Sequence, residues 1–323
     1  MKLIVQIPCL NEEATLPQTV ADIPRDIPGV DEVELLIIDD GSTDRTVEVA
    51  RALGVDHIVR FAHNRGLAAA FAAGVDASLR LGADIIVNTD GDNQYYGGDI
   101  PKLIAPILAG EADIVIGDRQ VETIEHFSPT KKRLQKMGSW VVRQASNTDI
   151  PDTTSGFRAY SREAALRLNI ISDYSYTLET IIQAGKQRLA LTHTPVRTSP
   201  KTRESRLFSS TPAYLRRSAA TIIRIYAMYE PLRIFVGAGV FLLVVGMILG
   251  LRYLYFDYIG EGKGHIQSVI LTAVFLIAGV QIILIGMLAD LIAINRRLSE
   301  DILLRVKRLE MGERGGETGG PAK

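Results

Sequence analysis

The sequence predicts an α/β domain built on a mostly parallel sheet and followed by a two-helix transmembrane hairpin. Three observations carry this. Over residues 1–195 short apolar runs alternate with helical patterns, as strand-helix-strand units with helices on both faces of a sheet require. Further on, residues 234–251 and 266–289 contain no charged side chain, and each stretch is close to the ~20 residues needed to cross the hydrocarbon core. Basic residues flank the pair on its outer ends: Arg216, Arg217, Arg224 and Arg233 before it, and Arg296, Arg297, Arg305, Lys307 and Arg308 after it.

In chain order, "LIVQIP" (3–8), "VELLIID" (33–39), "HIVRF" (57–61), "DIIVNTD" (84–90) and "DIVIGDR" (113–119) read as strands, most of them apolar on both faces. Helical patterns lie between them near 43–53, 67–81 and 98–109. These elements place an α/β domain at 1–210. Residues 211–232 form an interfacial amphipathic helix, with Leu215, Ala219, Ile222, Ile223 and Tyr226 apolar and Arg216, Arg217 and Arg224 set apart for anionic headgroups. The hairpin follows at 233–294, with helices near 233–256 and 266–290. Gly246 and Gly250 have the spacing that lets membrane helices approach closely, and Tyr253, Tyr255, Phe256 and Tyr258 form an aromatic belt. The neutral connection faces outward, so both termini and the α/β domain face the cytoplasm by the positive-inside rule, and the absence of a signal peptide before the first strand agrees. Residues 295–323 form a C-terminal helix and a disordered tail, "GERGGETGGPAK". Its apolar Leu298, Ile302, Leu303, Val306 and Leu309 point to self-association as a homo-oligomer.

Composition narrows the class. A chain of 323 residues with one cysteine, Cys9, has no disulfide framework and suits a reducing compartment. The formal net charge of -1 conceals a division. Residues 1–195 carry 19 Lys+Arg against 27 Asp+Glu, whereas residues 196–233 carry 8 basic and 2 acidic side chains. An acidic domain gives no reason to expect a nucleic-acid partner, and a basic segment leading into two apolar stretches suits a membrane surface.

Ligands of such sheets bind beyond the carboxyl ends of the strands, and polar clusters stand there. "PCLNEE" follows the first strand, "DDGSTD" the second and "TDGDNQ" the fourth. Asp44 or Ser42 equally serves as a helix cap, as does Asn11 with Glu12 and Glu13. Asp90 and Asp92 are harder to explain without a ligand, since a turn can be made from Asn and Gly without close like charges. An EF-hand loop from Asp90 would need Gly sixth and Glu twelfth, where Tyr95 and Pro101 stand. The motif is therefore an acidic oxygen site for a hard divalent cation that also holds a phosphate.

"PCLNEE", "DDGSTD", "NRGLAAA", "DGDNQ", "IGDR" and "DTTSGFRAYSRE" occur in the order and approximate spacing found in family-2 glycosyltransferases of the Rossmann-like GT-A fold. The chain most resembles the polyprenyl-phosphate branch, which includes dolichol-phosphate mannose synthase and the bactoprenol glucosyltransferases, over roughly residues 1–210. The resemblance implies a nucleotide pocket lined by Pro8, Leu10, Glu12, Ile38, Asp40, Asp90, Gly91 and Asp92, with Arg119 near the phosphates. It implies Mg2+ or Mn2+ at Asp90, Asp92 and Gln94, and an acidic group, Asp152, near the reaction centre. With Asp92, Asp152 is the catalytic candidate; a cap near Thr153 is its alternative. The implied reaction moves one sugar from a UDP- or GDP-sugar to undecaprenyl or dolichyl phosphate, with inversion. A phosphate acceptor with a second pKa of ~6 is already an anion at neutral pH, so Asp152 orients or shields and need not take a proton.

An anionic acceptor beside an anionic donor needs local positive charge. Lys132, Arg133 and Lys136, and Lys201, Arg203 and Arg206 nearer the membrane, are the candidates, with a solvated face as the alternative. The family's Arg-x-x-Gly-x-Ser-Lys loop is altered here to Pro200, Lys201, Thr202, Arg203, Glu204, Ser205, Arg206, which loses the leading Arg and the Gly. Three other classes compete. A processive polysaccharide synthase carries Gln-x-x-Arg-Trp and more membrane helices, whereas the only tryptophan here is Trp140 in "GSWVVRQ". A nucleotidyltransferase needs a Gly-rich phosphate loop, which "PCLNEE" is not. A non-catalytic membrane scaffold would not need an intact Asp90, Asp92 and Gln94.

Overall fold

Lys2–Cys9 (β1) is apolar on both faces because it lies at the centre of the sheet. Leu3, Ile4, Val5 and Ile7 are fully buried, and each such side chain contributes about 1.5–3 kcal/mol of transfer free energy. The computed structural model describes residues 1–120, 143, 146, 148–170, 176–199, 231–260 and 262–312. They divide into two units, Met1–Ile222 with Leu304–Lys323, and Ile223–Leu303.

The first unit holds a seven-stranded sheet in the order β3-β2-β1-β4-β6-β5-β7. The expected strands are present as β1, Glu32–Asp39 (β2), His57–Arg60 (β3), Ile85–Asn88 (β4) and Ile114–Asp118 (β5). Two more, Arg158–Ser161 (β6) and Leu191–Pro195 (β7), were not legible as apolar runs. All neighbours pair in parallel except β6, which runs antiparallel between β4 and β5. Its reversed direction brings the start of β6 to the edge where β4 and β5 end: Arg158 sits opposite Asn88 on one side and Ile116 on the other.

Helices Leu16–Ala21 (α1), Thr46–Ala52 (α2), Leu67–Arg80 (α3), Ile100–Leu108 (α4), Arg162–Arg167 (α5) and Tyr176–Lys186 (α6) pack with this sheet, and a 3-10 turn at Gly97–Asp99 leads into α4. Pro17 in the first turn of α1 and Pro101 in that of α4 stand where a missing N–H costs nothing. Gly74 on α3 is required by close packing, because a Cβ there would lie 2.5 Å from Gln6 Oε1 and 2.8 Å from Ile38 Cδ1.

The second unit contains Pro231–Tyr258 (α7) and most of Ile266–Glu310 (α8). Both reach a mean hydropathy of 2.7 over 18 residues while only 11% of that window is buried. Phe241, Ile248, Leu288 and Ile292 are all more than half exposed, which is untenable for a core helix in water and natural for one in lipid. Small residues line the contact between the helices. Gly279, Gly286 and Ala293 of α8 are buried at seven-residue intervals, and so are Gly239 and Gly246 of α7. A Cβ on Gly239 would lie 2.8 Å from Gly279 O, and one on Gly286 would lie 2.5 Å from Phe235 Cβ. The seven-residue period keeps one seam in register along both helices, as in a left-handed pair. Gly246 belongs to this seam, and a Cβ on Gly250 would meet Thr272 at 3.2 Å. Near the connection, Phe256 stacks on His265 with ring centroids 3.9 Å apart, beside Tyr255. Pro231 and Leu232, expected to end the interfacial helix, open α7; residues 211–230 of that helix lie outside the described residues, as does 313–323 of the tail.

Candidate active site

Three loops meet at the carboxyl ends of β1, β2 and β4, and their own side chains tie them together. After β1 the chain turns on Asn11, whose φ of 55° is in the left-handed region that Asn tolerates better than most residues. Asn11 Oδ1 accepts from Thr43 N at 2.8 Å, its N–H donates to Ser42 Oγ at 2.9 Å, and Glu12 N–H donates to Thr46 Oγ1 at 2.8 Å. Asp44 accepts from Thr46 N at 3.0 Å, but Arg45, and neither Asp44 nor Ser42, holds the N-cap position of α2. Asp40 accepts from the N–H groups of Arg65 and Gly66 at 2.7 and 3.0 Å and so holds the start of α3. The preceding Asp39 is fully buried, with Oδ1 accepting from Ser42 N and Oδ2 3.1 Å from Arg60 Nε but off the line of a hydrogen bond. Beside it lies a cavity of about 360 Å³ lined by Gly41, Ser42, Thr43, Arg60, Phe61 and Ala62. Of the expected nucleotide-binding positions, Pro8, Glu12 and Gly91 come together: a Cβ on Gly91 would meet Cys9 Sγ at 2.9 Å, Glu12 Cγ at 3.3 Å and Pro8 O at 3.4 Å. Ile38 does not join them; its side chain is buried in the core next to Gly74.

The loop after β4 carries the acidic pair. Gly91 O accepts from Thr15 Oγ1 at 2.9 Å, and Asp92 accepts from Gln94 N at 3.2 Å and Gln94 Nε2 at 2.9 Å. Burial and the neighbouring charge of Asp92 push the Asp90 carboxyl up to about 7, against the opposing pull of Arg119. The far side of the loop is pinned by the segment after β7. Ser199 N donates to Gln94 O at 3.0 Å, Tyr96 N to Arg197 O at 3.3 Å, and the Arg197 guanidinium grips buried Asp99 at 2.6 and 3.1 Å. Burial works against the Asp99 charge, but Arg197 and Lys102 overcome it and hold the carboxyl at about 2. Because the folded pKa lies below the ordinary 3.8, this contribution to stability is complete above about pH 4 and disappears as pH falls towards 2. The melting-temperature advantage of the wild type over Asp99→Asn is therefore expected to be full at pH 6 and to close between pH 4 and 2.

Arg119, at the end of β5, closes the cluster. Its Nε and Nη2 donate to Asp152 Oδ2 and Oδ1 at 2.7 and 2.9 Å, a two-pronged pair with only 1% of the Asp152 side chain exposed. Burial opposes ionisation of Asp152, yet Arg119 and Thr154 keep its carboxyl below the usual range. Asp152 as placed is an ion-pair partner with its lone pairs already engaged. Arg158, 0% exposed, donates to Ser155 O, Thr153 O, Thr177 O and Thr180 Oγ1 at 2.7–2.9 Å, fastening the 153–155 loop to α6. Asn88 Nδ2 donates to Gly156 O and to Tyr176 Oη, both at 2.8 Å, Asn88 Oδ1 accepts from Gln6, and Tyr176 stacks on Phe71. This buried network lies directly under the acidic pair: a Cβ on Gly156 would meet both Asp90 carboxylate oxygens and Tyr176 Oη at 3.1 Å. Gly156→Ala should therefore displace Asp90 by a few tenths of an ångström and lower turnover about tenfold or more, with nucleotide binding as the control.

Sequence reasoning missed Arg158, Asn88, Tyr176 and the Asp99–Arg197 clamp. An asparagine ending an apolar strand and an arginine inside "GFRAYS" were the available signals. Lys132, Arg133, Lys136, Lys201, Arg203 and Arg206 lie outside the described residues, as does Trp140. Asp90 and Asp92 with the Gln94 amide form a donor set of hard oxygens, and Asn93 Oδ1 is buried in the same loop without a hydrogen-bond partner. Among the described residues no three His, Cys, Asp or Glu side chains converge. The set suits a divalent cation that completes its shell with phosphate oxygen and water.

The sheet order, its single reversed strand and the Asp-x-Asp loop beyond β4 define a glycosyltransferase of GT-A type. The chain belongs to glycosyl transferase family 2, whose model matches residues 4–168, and the model of the GtrB C-terminal hairpin matches residues 230–294. It is 26% identical to glycosyltransferase AglJ of Haloferax volcanii across 91% of this chain and 94% of that protein. It is 28% identical to an undecaprenyl-phosphate mannosyltransferase of Micrococcus luteus across 58% of this chain and 79% of the relative. Among solved structures it resembles glucosyl-3-phosphoglycerate synthase of Mycobacterium tuberculosis, crystallised with Mn2+, UDP-glucose and phosphoglyceric acid. The TM-score is 0.56 at 24% identity, covering 70% of this chain and 80% of that one, a likeness of fold.

Proposed function

We propose that this glycosyltransferase moves a single sugar from a UDP- or GDP-sugar to a polyprenyl phosphate at the cytoplasmic face of a membrane, with inversion and with Mg2+ or Mn2+ at Asp90 and Asp92. The observation that carries the reading is the placement of Asp90 and Asp92 in one loop at the carboxyl end of the central strand β4, with Asp90 packed against Gly156 and Asp92 bonded to Gln94. Two close carboxylates destabilise each other until a cation and a diphosphate arrive. When bound, the cation would neutralise charge on the leaving diphosphate. Arg119, held rigid by Asp152, adds a fixed positive charge to the same edge of the sheet. The engagement of Asp152 supports a phosphate acceptor: an oxygen that is already an anion needs no base, whereas a sugar hydroxyl would. The lipid character of the acceptor rests on the two apolar helices and on the activity in the name of the Micrococcus luteus relative. A homo-oligomer, both termini cytoplasmic, completes the reading; a monomer by light scattering in mild detergent removes that part of it.

The test is transfer of radiolabel from a panel of UDP- and GDP-sugars to undecaprenyl or dolichyl phosphate, counted in the organic phase with and without Mn2+ or Mg2+. Cation-dependent label from one donor supports the reading and names the sugar. Absence of transfer from every donor, in protein that binds nucleotide, rejects it.

A further inference from the structure

We infer that residues 304–310 are an integral docking element of the α/β unit, seated on a receiving surface made by α3 and α5, so that the catalytic fold is closed by a segment that follows both apolar stretches in the chain. Lys307 is the centre of the contact. Its Nζ donates to Leu166 O at 3.2 Å, Leu168 O at 3.1 Å and Asn169 Oδ1 at 3.0 Å. These are acceptors at and just beyond the last turn of α5, where carbonyls lack helical partners and the helix dipole favours a cation. Burial draws the Lys307 pKa down, with Asp76 of α3 opposing, and the side chain is half-buried in this contact. One residue on, Arg308 Nη2 donates to both carboxylate oxygens of Glu163 at 2.8 and 2.6 Å, and Glu310 pairs with Arg80 of α3 at 3.2 Å.

The three contacts are chemically different and complementary in sign, so the surface reads this segment and not a generic helix. A lone exposed ion pair would contribute little. A lysine donating to three oxygens, next to an arginine whose Nη2 is shared between both oxygens of one carboxylate, is a built site. Its place in the chain has a consequence: α5 directly follows β6, the strand that begins at Arg158, two residues after the Gly156 that packs against Asp90. Until residues 304–310 exist and have docked, the last turn of α5 lacks the Lys307 ammonium and Glu163, among the described residues, keeps only Arg167 of its own helix, 2.6 Å away. On the membrane reading given above, the catalytic unit is completed only after both crossings have been made.

The test is amide hydrogen exchange on the full chain in lipid nanodiscs, comparing wild type, Lys307→Ala, Arg308→Glu and the charge-swapped pair Glu163→Arg with Arg308→Glu. Each single substitution is expected to speed exchange about tenfold both in 304–310 and in 163–169, and the swapped pair to return both segments to within about threefold of wild type. Unchanged exchange in 163–169 in both single variants, or acceleration in Arg308→Glu that the swapped pair does not reverse, overturns the inference. Exchange reads docking alone, so a protein that docks but fails to transfer sugar to lipid would reject the function proposed above and leave this inference standing.

Discussion

Asp92→Asn is expected to reduce sugar transfer on the order of 10²–10³-fold, the loss seen when one preorganised charge-stabilising group is removed. The same substitution should not destabilise the protein in the absence of cation. Asp92 is the neighbouring charge that helps raise Asp90, so its neutralisation relieves repulsion in the folded state. Activity lost at unchanged or higher melting temperature would locate Asp92 in the chemistry. A parallel fall in both would make it a fold residue, through its bonds to Gln94.

Arg119→Met should be the most damaging single change to stability in the site. It leaves the Asp152 carboxylate, with 1% of its side chain exposed, without its partner, and breaking a buried pair in this way costs about 3–5 kcal/mol. For a unit of this size that corresponds to a fall in melting temperature on the order of 10 °C. Adding Asp152→Leu removes the stranded charge and is expected to restore most of the stability. On the proposed function, sugar transfer should stay low in the double variant, because the positive charge next to the acidic pair is still missing. Recovery of transfer together with stability would reduce the pair to a structural role.

What could be read in the sequence follows from where the signal is local. Ile85, Ile86 and Val87 announce a buried strand, and Asp90 and Asp92 follow within a few residues, so the acidic edge was visible. β6 was not, because its four residues place Arg158 in the middle of the core, and no hydropathy pattern marks a buried arginine whose partners are backbone carbonyls. β7, "LTHTP", is a half-exposed strand at the edge of the sheet and lacks an apolar run. The pairing of Arg119 with Asp152 spans 33 residues, and Asp99 with Arg197 spans 98. Such contacts depend on the reversed strand and the sheet order, which side-chain periodicity does not encode. In the hairpin, the apolar stretches were plain, while the seam of Gly239, Gly246, Gly279 and Gly286 required knowing which faces meet.

The single cysteine has a practical consequence. Cys9 is 2% exposed beneath Gly91, and burial together with Glu12 holds its thiol well above the ordinary range, so it is neither accessible nor readily a thiolate. The natural chain is thus already a silent background for maleimide chemistry. Cysteines introduced at exposed positions such as Glu111 would be the only sites taking a spin label or fluorophore, and distances between two of them could be measured in lipid without first altering the acidic edge that Cys9 supports.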